Sequence, residues 1–562
     1  MLPLLLLVPT LLLGASSAVL VPPPPGPSPV ALAIVPLTDP SRRDDGSPLT
    51  SSSSSSHSSS PEPIPRRRIL TSVFVPLLPA AAGSAKHPSC EGGNDTSTNG
   101  SAPWWDCGNG CRLQTLPYMT RAVAASYGAQ AAQYGLPEDL YSRFEMQTCD
   151  PAYIPSPRPP PARCSTNPSR CRTHHTRRTN NTASDDTSCN TTYHGNDGND
   201  DANDKTGSGG RRCRTGRGGK AQLIVLTPGL SESRLLYSAL ARSLASTTGL
   251  PVVTVDHPFE AQPGVEFPDG SVVPGLNVSG DDEAALSRLV KVRADDISFL
   301  LHNIATLLAH LPSPLRQHLL HIHHHLGHHS PPRALIIGHS LGGSAAAALL
   351  LSDPSRAVAA INLDGRVVFP AASVAPLSSL PVPIPVTNEQ KKDKRHRREA
   401  RETGYTREET QKRDNSDSKE NKGKKEEKKR QRPGPLVQLG RPNHRAEDPT
   451  WNATWPILNG GGGSNSSSAG GPVVELSVAG TAHAAFTDRP LLLLAAGSGL
   501  SDAQRGVAAQ LVGTMGARRL EEVLGGVVGR VLDVVEGGDG RVLLGGIGRC
   551  YREVEVVRSR GL

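Results

Sequence analysis

The chain has 562 residues, of which 36% are hydrophobic and only 4% aromatic, with 56 glycines and 50 prolines. A composition this poor in apolar side chains argues against several packed domains and indicates one folded domain interrupted by segments with little to bury. Most of the formal net charge of +8 lies at positions 389–432, where 18 Lys/Arg and 11 Asp/Glu leave an excess of seven. Because both signs are interleaved there, we interpret the run as a solvated disordered insertion and predict no nucleic-acid partner.

The amino terminus and the cysteines indicate an extracellular protein. Residues 1–18 have the apolar run and small final residues of a signal peptide, and no later stretch has the roughly 18 apolar residues of a transmembrane segment. Seven glycosylation sequons occur, at Asn94, Asn99, Asn180, Asn190, Asn277, Asn452 and Asn465. Eight cysteines lie between Cys90 and Cys213, which suits disulfides in an oxidising compartment, and Cys550 is either free or paired with that group. We therefore expect a secreted protein.

The apolar runs divide the chain into segments of different character. Residues 19–150 contain predicted strands at 30–37 and 69–75, a Ser-rich loop between them and a helix at 118–134, whereas 151–220 is a disordered insertion containing cysteines. In 221–376, predicted strands at 222–226, 251–255, 334–337 and 358–363 alternate with helices at 233–245, 286–311 and 341–351. After the charged insertion at 377–434, residues 435–545 contribute strands at 436–439 and 473–478 and a helix at 517–535, followed by a tail at 546–562. This alternation predicts an α/β fold with a mostly parallel central sheet flanked by helices.

A G-x-S-x-G pattern centres on Ser340. It follows an apolar strand directly and opens an Ala-rich helix, which is the context that a nucleophile elbow requires. The turn is so tight that Gly338 and Gly342 must lack side chains, and the serine is left exposed in a strained conformation. The sequence therefore predicts that Ser340 is a nucleophile.

A serine hydroxyl becomes reactive only beside a base that a carboxylate holds in place. After a nucleophile elbow of this kind, the acid and then the histidine follow in the chain, each at the carboxyl end of a strand. Asp364 ends the strand after the elbow, and His483 follows the strand at 473–478. We predict Asp364 as the acid and His483 as the base. Glu447 or Asp448, after the strand at 436–439, is the alternative acid.

The oxyanion of the tetrahedral intermediate needs two backbone donors. The N–H of Leu341, directly after the nucleophile, is the first. The second is expected in the loop at 227–230, where Pro228 has no N–H, so that Gly229 or Leu230 must donate.

A histidine cluster at 321–329 raises the question of a metal site. No carboxylate or cysteine lies near it in sequence, so we expect adventitious binding or none, and we predict neither a metal nor a cofactor.

Several segments together resemble the secreted platelet-activating-factor acetylhydrolase family, including its fungal members. They are 227–230 with 235–238, 255–257, 293–299, 338–343, 363–365, and 480–483 with Phe486 and Asp488. The resemblance covers about half of the chain and implies an α/β-hydrolase fold. It also favours Asp364 over the later carboxylates and Leu230 as the second oxyanion donor.

The same resemblance implies an esterase that acts on the short sn-2 acyl chain of a phospholipid and contacts a lipid surface. Two alternatives stay open at this point. One is a general carboxylesterase or cutinase-like polyester hydrolase with the same machinery, and the other is an inactive hydrolase fold that serves as a binding module.

Overall fold

The computed structural model describes residues 17–43, 66–77, 111–154, 220–323, 326, 332–368, 433–458 and 471–561. Most of the predicted signal peptide, the Ser-rich loop and nearly all of the two predicted insertions lie outside these residues. Where the structure describes the chain, no helix is long and apolar enough to cross a membrane.

Fourteen strands are present in the described residues, twelve of them in one sheet. They are β1 (Val19–Leu20), β2 (Val30–Arg43), β3 (Arg66–Pro76), β4 (Leu113–Pro117), β5 (Phe144–Cys149), β6 (Leu223–Thr227), β7 (Val252–Asp256), β8 (Gly264–Glu266), β9 (Val272–Pro274), β10 (Ala334–His339), β11 (Ala357–Leu363), β12 (Leu436–Gly440), β13 (Val473–Val478) and β14 (Val554–Arg560). The main sheet has the order β1-β5-β2-β3-β7-β6-β10-β11-β12-β13-β14, with β4 paired to β5, whereas β8 and β9 form a separate hairpin.

The α-helices of the described residues follow in chain order. They are α1 (Arg121–Ala132), α2 (Ser238–Thr248), α3 (Glu283–His302), α4 (Ile304–His310), α5 (Ser313–Ile322), α6 (Leu341–Ser352), α7 (His444–Glu447), α8 (Thr450–Leu458), α9 (Arg489–Ala496), α10 (Asp502–Val512), α11 (Ala517–Val535) and α12 (Gly540–Cys550). Short 3₁₀ helices occur at Leu140–Arg143, Arg234–Tyr237, His483–Phe486 and Gly497–Gly499.

The six strands from β7 to β13 along the sheet are mutually parallel, and their apolar side chains fill two cores. One core packs under α2, α9 and α11, and the other under α3 to α6. Parallel strands need helical crossovers, so both faces are covered and the strands are apolar throughout. A parallel sheet between two helical layers, with a strand–serine–helix turn in its middle, is the α/β-hydrolase fold. That prediction is confirmed.

The carboxyl-terminal segment differs from the prediction. Residues 546–562 were expected to form a tail, but α12 extends to Cys550 and β14 pairs antiparallel with β13. The reason is a short alternation in this segment: Val554 is buried, Val556 packs against the core, and Glu555 between them is exposed. The edge of the parallel sheet is thereby covered.

The predicted helix at 286–311 is interrupted. The chain forms α3 and α4 instead, with Asn303 between them in a non-helical conformation, φ −111° and ψ 26°.

The cysteines are also partly accounted for: Cys111 and Cys149 form a disulfide that ties β5 to the start of β4, whereas Cys550 has no disulfide partner among the described cysteines.

Candidate active site

Ser340 lies at the turn between β10 and α6, with φ 52° and ψ −122°. Two glycines make this turn possible. A Cβ on Gly338 would come within 2.0 Å of the Gly342 carbonyl oxygen, and one on Gly342 within 2.4 Å of the Thr227 carbonyl oxygen. A positive φ is rare for serine and costs about 1–3 kcal/mol, so the surrounding structure must impose it.

Asp364 directly follows β11 and also has a positive φ, of 52°. Its main-chain N–H donates to the Leu439 carbonyl at 2.8 Å, which extends the pairing with β12 by one residue. The side chain is buried, and Oδ2 accepts a hydrogen bond from His483 Nδ1 at 2.6 Å. The structure thus brings together the predicted acid and the predicted base, 119 residues apart in sequence.

The two alternative acids lie elsewhere. Glu447 binds Nη2 of Arg441 at 2.7 Å, and Asp448 accepts from the Thr450 N–H at 2.9 Å. Neither carboxylate contacts His483 among the described residues. The geometry therefore favours Asp364 as the partner of His483.

His483 begins the 3₁₀ helix after β13, and its side chain is 47% exposed. Its ring lies 4.6 Å from that of His339, the residue before Ser340. In the part of the chain that the structure describes, Ser340 Oγ makes no hydrogen bond to His483. Catalytic hydrogen bonds often tighten only when substrate is bound, so the placement of the imidazole beside the elbow is the relevant observation.

The charge of Asp364 is stabilised from several sides. Burial opposes its ionisation, but contacts from His444 and His483 and the Arg441 N–H, which donates at 2.8 Å, outweigh burial and hold the pKa of this carboxyl well below its usual range. Nη1 of Arg441 also contacts Oδ2. Asp364 is therefore an anion throughout the neutral range and can fix the His483 Nδ1 proton.

The backbone donors near Ser340 separate the two candidates for the second oxyanion position. The Gly229 N–H donates to Tyr237 Oη at 3.1 Å, so it is already occupied. The N–H groups of Leu230 and Leu341 have no hydrogen-bond acceptor among the described residues. Their side chains belong to the same apolar cluster, which also contains Leu286 and Val290.

Arg293 of α3 holds the loop that carries Leu230. Its guanidinium donates to the carbonyl oxygens of Pro228 and, at 3.1 Å, of Gly229, and it forms a buried ion pair with Glu260 at 2.7 Å. With these two carbonyls directed at Arg293, the loop conformation is fixed before any substrate enters. Arg293 begins the segment 293–299 of the family resemblance, but its role follows from these contacts alone.

Arg441 and His444 are contacts of the acid that the sequence interpretation missed. Both lie just after β12, at the same sheet edge as Asp364 and His483. The only available signal was their position after a parallel strand, because the carboxyl ends of parallel strands meet at one edge.

The histidine cluster at 321–329 is described only in part, at His321 and His323, and the remaining histidines lie outside the described residues. Within the described ranges, no group of three or more His, Cys, Asp or Glu side chains is arranged to hold a metal ion.

Comparisons with known proteins add little to this geometry. No protein-family model matches the sequence, and no curated protein matches it significantly. Among solved structures, a ferulic acid esterase from Streptomyces cinnamoneus is 16% identical with a TM-score of 0.46, covering 96% of this chain and 100% of its own. A thermophilic esterase from Thermogutta terrifontis is 20% identical (TM-score 0.16), with coverage of 26% and 38%. A bacterial membrane phospholipase A is 16% identical (TM-score 0.15), with coverage of 26% and 33%.

These likenesses are too distant to carry an activity from one protein to another, and the reaction named for each neighbour is that protein's own. None of the three is a platelet-activating-factor acetylhydrolase, so the resemblance to that family stays a prediction. The fold of this chain rests on its own strand order, and its chemistry on the residues gathered around Ser340.

Proposed function

We propose that the chain is a serine carboxylic ester hydrolase with Ser340 as nucleophile, Asp364 as acid and His483 as base. One observation carries the proposal: the Asp364–His483 hydrogen bond of 2.6 Å lies beside a strained serine elbow. An idle Gly-rich turn has no need of a buried carboxylate that orients an imidazole.

The reaction follows from the proton positions. Asp364 accepts from Nδ1 of His483, so the unprotonated Nε2 takes the hydroxyl proton of Ser340 while Oγ attacks the ester carbonyl carbon. The N–H groups of Leu341 and Leu230 stabilise the oxyanion, and the intermediate collapses to an acyl-serine as His483 returns the proton to the departing alcohol. Water then attacks the acyl group, again through His483, and releases the acid and free Ser340.

The substrate that we propose is the short sn-2 acyl ester of a phospholipid, on the basis of the family resemblance. Partly buried apolar side chains of Leu230, Leu276 and Val368 pack on the cluster beside Leu341 and are suited to a short acyl chain. Secretion and contact with a lipid surface belong to the same proposal. The sequons at Asn277 and Asn452 fit it, because both residues are exposed.

Hydrolysis by the wild-type protein and Ser340→Ala tests the reaction. The wild type should hydrolyse p-nitrophenyl acetate, whereas Ser340→Ala should lose at least about 10³-fold in kcat with an unchanged circular dichroism spectrum. Normal turnover by a folded Ser340→Ala protein would refute the nucleophile assignment.

A substrate panel tests the specificity. A phosphatidylcholine with an sn-2 acetyl group should give a higher kcat/KM than the same lipid with a palmitoyl group and than p-nitrophenyl acetate. Preference for the soluble ester or for a polyester film would instead support the general carboxylesterase or cutinase-like alternative.

A further inference from the structure

The carboxylate of Asp364 is contacted by two histidines, one on each oxygen. His483 Nδ1 lies 2.6 Å from Oδ2, and His444 Nδ1 lies 2.8 Å from Oδ1. The mechanism proposed above uses only the first of them. The second histidine is buried, so it is not a surface group that happens to lie near.

His444 has a further carboxylate behind it. Its Nε2 lies 3.6 Å from Oδ2 of Asp448, and its ring packs on Trp451 with centroids 4.2 Å apart. Carboxylates and imidazoles therefore alternate along a row of four side chains, in the order Asp448, His444, Asp364 and His483. The alternative acid of the sequence interpretation thus contacts His444 instead of the base.

The protons on His444 follow from its neighbours. Asp364 only accepts, so the Nδ1 proton lies on that side, even though Nη1 of Arg441 is 3.0 Å from the same nitrogen. Nε2 and Oδ2 of Asp448 face each other at 3.6 Å, and neither buried atom has a hydrogen-bond partner among the described residues, so the carboxylate favours a proton on Nε2 through its charge alone. Burial lowers the pKa of His444, but the contacts with Asp364 and Asp448 outweigh burial and raise it.

Other titratable groups face this row from several elements. His339 of β10 lies against His483, with ring centroids 4.6 Å apart, and its Nδ1 is 3.1 Å from Oε2 of Glu232. Arg441, after β12, contacts Asp364 and is itself paired with Glu447 at 2.7 Å. Glu447 and Asp448 end the short helix α7, and from α8 the neighbour of His444 is Trp451, which is uncharged. His444 therefore lies between two carboxylates that favour its protonated form, with Arg441 as the nearest like charge.

We propose that His444, with Asp448 behind it, is a positioning residue for Asp364: it fixes the carboxylate towards His483 and takes up part of its negative charge. This inference rests on the proposed function. Its consequence is that the positive charge on His483 is stabilised less than by an unshared carboxylate. His483 then stays available as a base at lower pH.

Two variants of His444 and one control separate the positioning of Asp364 from the effect of the charge on His444. In His444→Asn the amide retains a donor towards Asp364 but no charge, so kcat at the plateau should stay within a few-fold of wild type while the acid limb of kcat/KM moves up by about one pH unit. In His444→Phe both contributions are lost, so the limb moves up and kcat falls about tenfold. His302→Asn is the control: among the described residues, this exposed histidine of α3 bonds only within its own helix, so kcat and the pH–rate profile should not change.

The readout is the pH–rate profile for p-nitrophenyl acetate between pH 4.5 and 9. Profiles of both His444 variants that superimpose on the wild type, with normal kcat, would overturn the inference. If neither variant folds, Asp448→Asn decides. An upward shift of the acid limb by less than one pH unit supports the proposal, and an unchanged profile contradicts it. An inactive wild-type protein would refute the proposed function itself, which is a different result from active variants with unchanged profiles.

Discussion

Nε2 of His339 donates a hydrogen bond to the main-chain carbonyl of His483 at 3.1 Å. Nδ1 of the same ring lies 2.7 Å from Tyr237 Oη, which accepts from the Gly229 N–H. One buried histidine thereby connects the strand of the proposed nucleophile, the loop of the proposed base and the loop of the proposed second oxyanion donor. These hydrogen bonds hold three segments that are far apart in sequence in fixed relative positions.

Removing the acid should lower kcat nearly as much as removing the base, because Asp364 fixes which nitrogen of His483 is free to accept a proton. We expect Asp364→Asn and His483→Ala each to lower kcat by about 10³–10⁴-fold, with less than additive loss in the double variant. Steady-state hydrolysis of p-nitrophenyl acetate measures both. Glu447→Gln is the control, and a comparable loss there would return the acid role to the later carboxylates.

Gly338 should not tolerate even a methyl group. The added carbon of Gly338→Ala would lie 2.0 Å from a main-chain oxygen of Gly342, so unfolding free energy should fall by about 1–3 kcal/mol or more. The matched change Gly525→Ala on α11 meets nothing within 4 Å and should be neutral or stabilise by up to about 1 kcal/mol. Urea denaturation distinguishes the two, and equal stability of both variants would contradict the elbow geometry.

The long, regular apolar elements could be predicted from the sequence. Strand β13 and helix α11 have the predicted bounds. A run of six mostly apolar residues determines the strand, and apolar residues spaced three and four apart determine the helix. Strand β4 could not be predicted, because its five residues are half-exposed and only pairing with β5 makes it a strand. Strand β14 is similar, since β13 supplies its partner.

For the proposed site, chain order predicted Ser340 and His483, whereas the choice of Asp364 over Glu447 and Asp448 came from the family resemblance. The choice between Gly229 and Leu230 could not be made from the residues, because it depends on a hydrogen bond to Tyr237. The contact of His444 with Asp364 was equally invisible, since no local pattern records which side chains meet across 80 residues.

Arg293 and Glu260 allow loop positioning to be separated from stability. Arg293→Met leaves Glu260 buried without its partner and should cost about 3–5 kcal/mol of unfolding free energy. The double variant Arg293→Met/Glu260→Leu should recover most of that stability. Its kcat should stay at least about tenfold below the wild-type value, because the Pro228 and Gly229 carbonyls are no longer held. Recovery of full activity together with stability would show that Arg293 does not position the oxyanion loop.

Buried histidines should make the fold acid-sensitive. His257 lies between Asp296 and Thr227, both at 2.9 Å, and burial outweighs the opposing bond to Asp296 and lowers its pKa. Burial lowers the pKa of His339 and His318 as well. Such groups bind protons more readily when unfolded, so stability is lost as pH falls below about 6.5.

His444 acts in the opposite sense, because its raised pKa contributes stability that is lost as pH rises above about 6.5. Asp488 acts in the same sense as His444, because burial raises its pKa to about 7 and its contribution to stability grows as pH falls from 7 towards 5. The histidine contribution is therefore measured by comparing variants: in His318→Leu the urea midpoint at pH 5, relative to pH 7, should be higher than in the wild type. The same pH dependence in both proteins would contradict the assignment for His318.

Labelling with a fluorophosphonate probe tests most directly whether Ser340 is activated. Intact-protein and peptide mass spectrometry should find one adduct on Ser340, absent in Ser340→Ala, strongly slowed in His483→Ala and unchanged in Ser352→Ala, a serine exposed at the end of α6. A folded wild-type protein that acquires no adduct, or a Ser340→Ala protein that is labelled as fast as wild type, would contradict the account and favour a binding module built on a hydrolase fold.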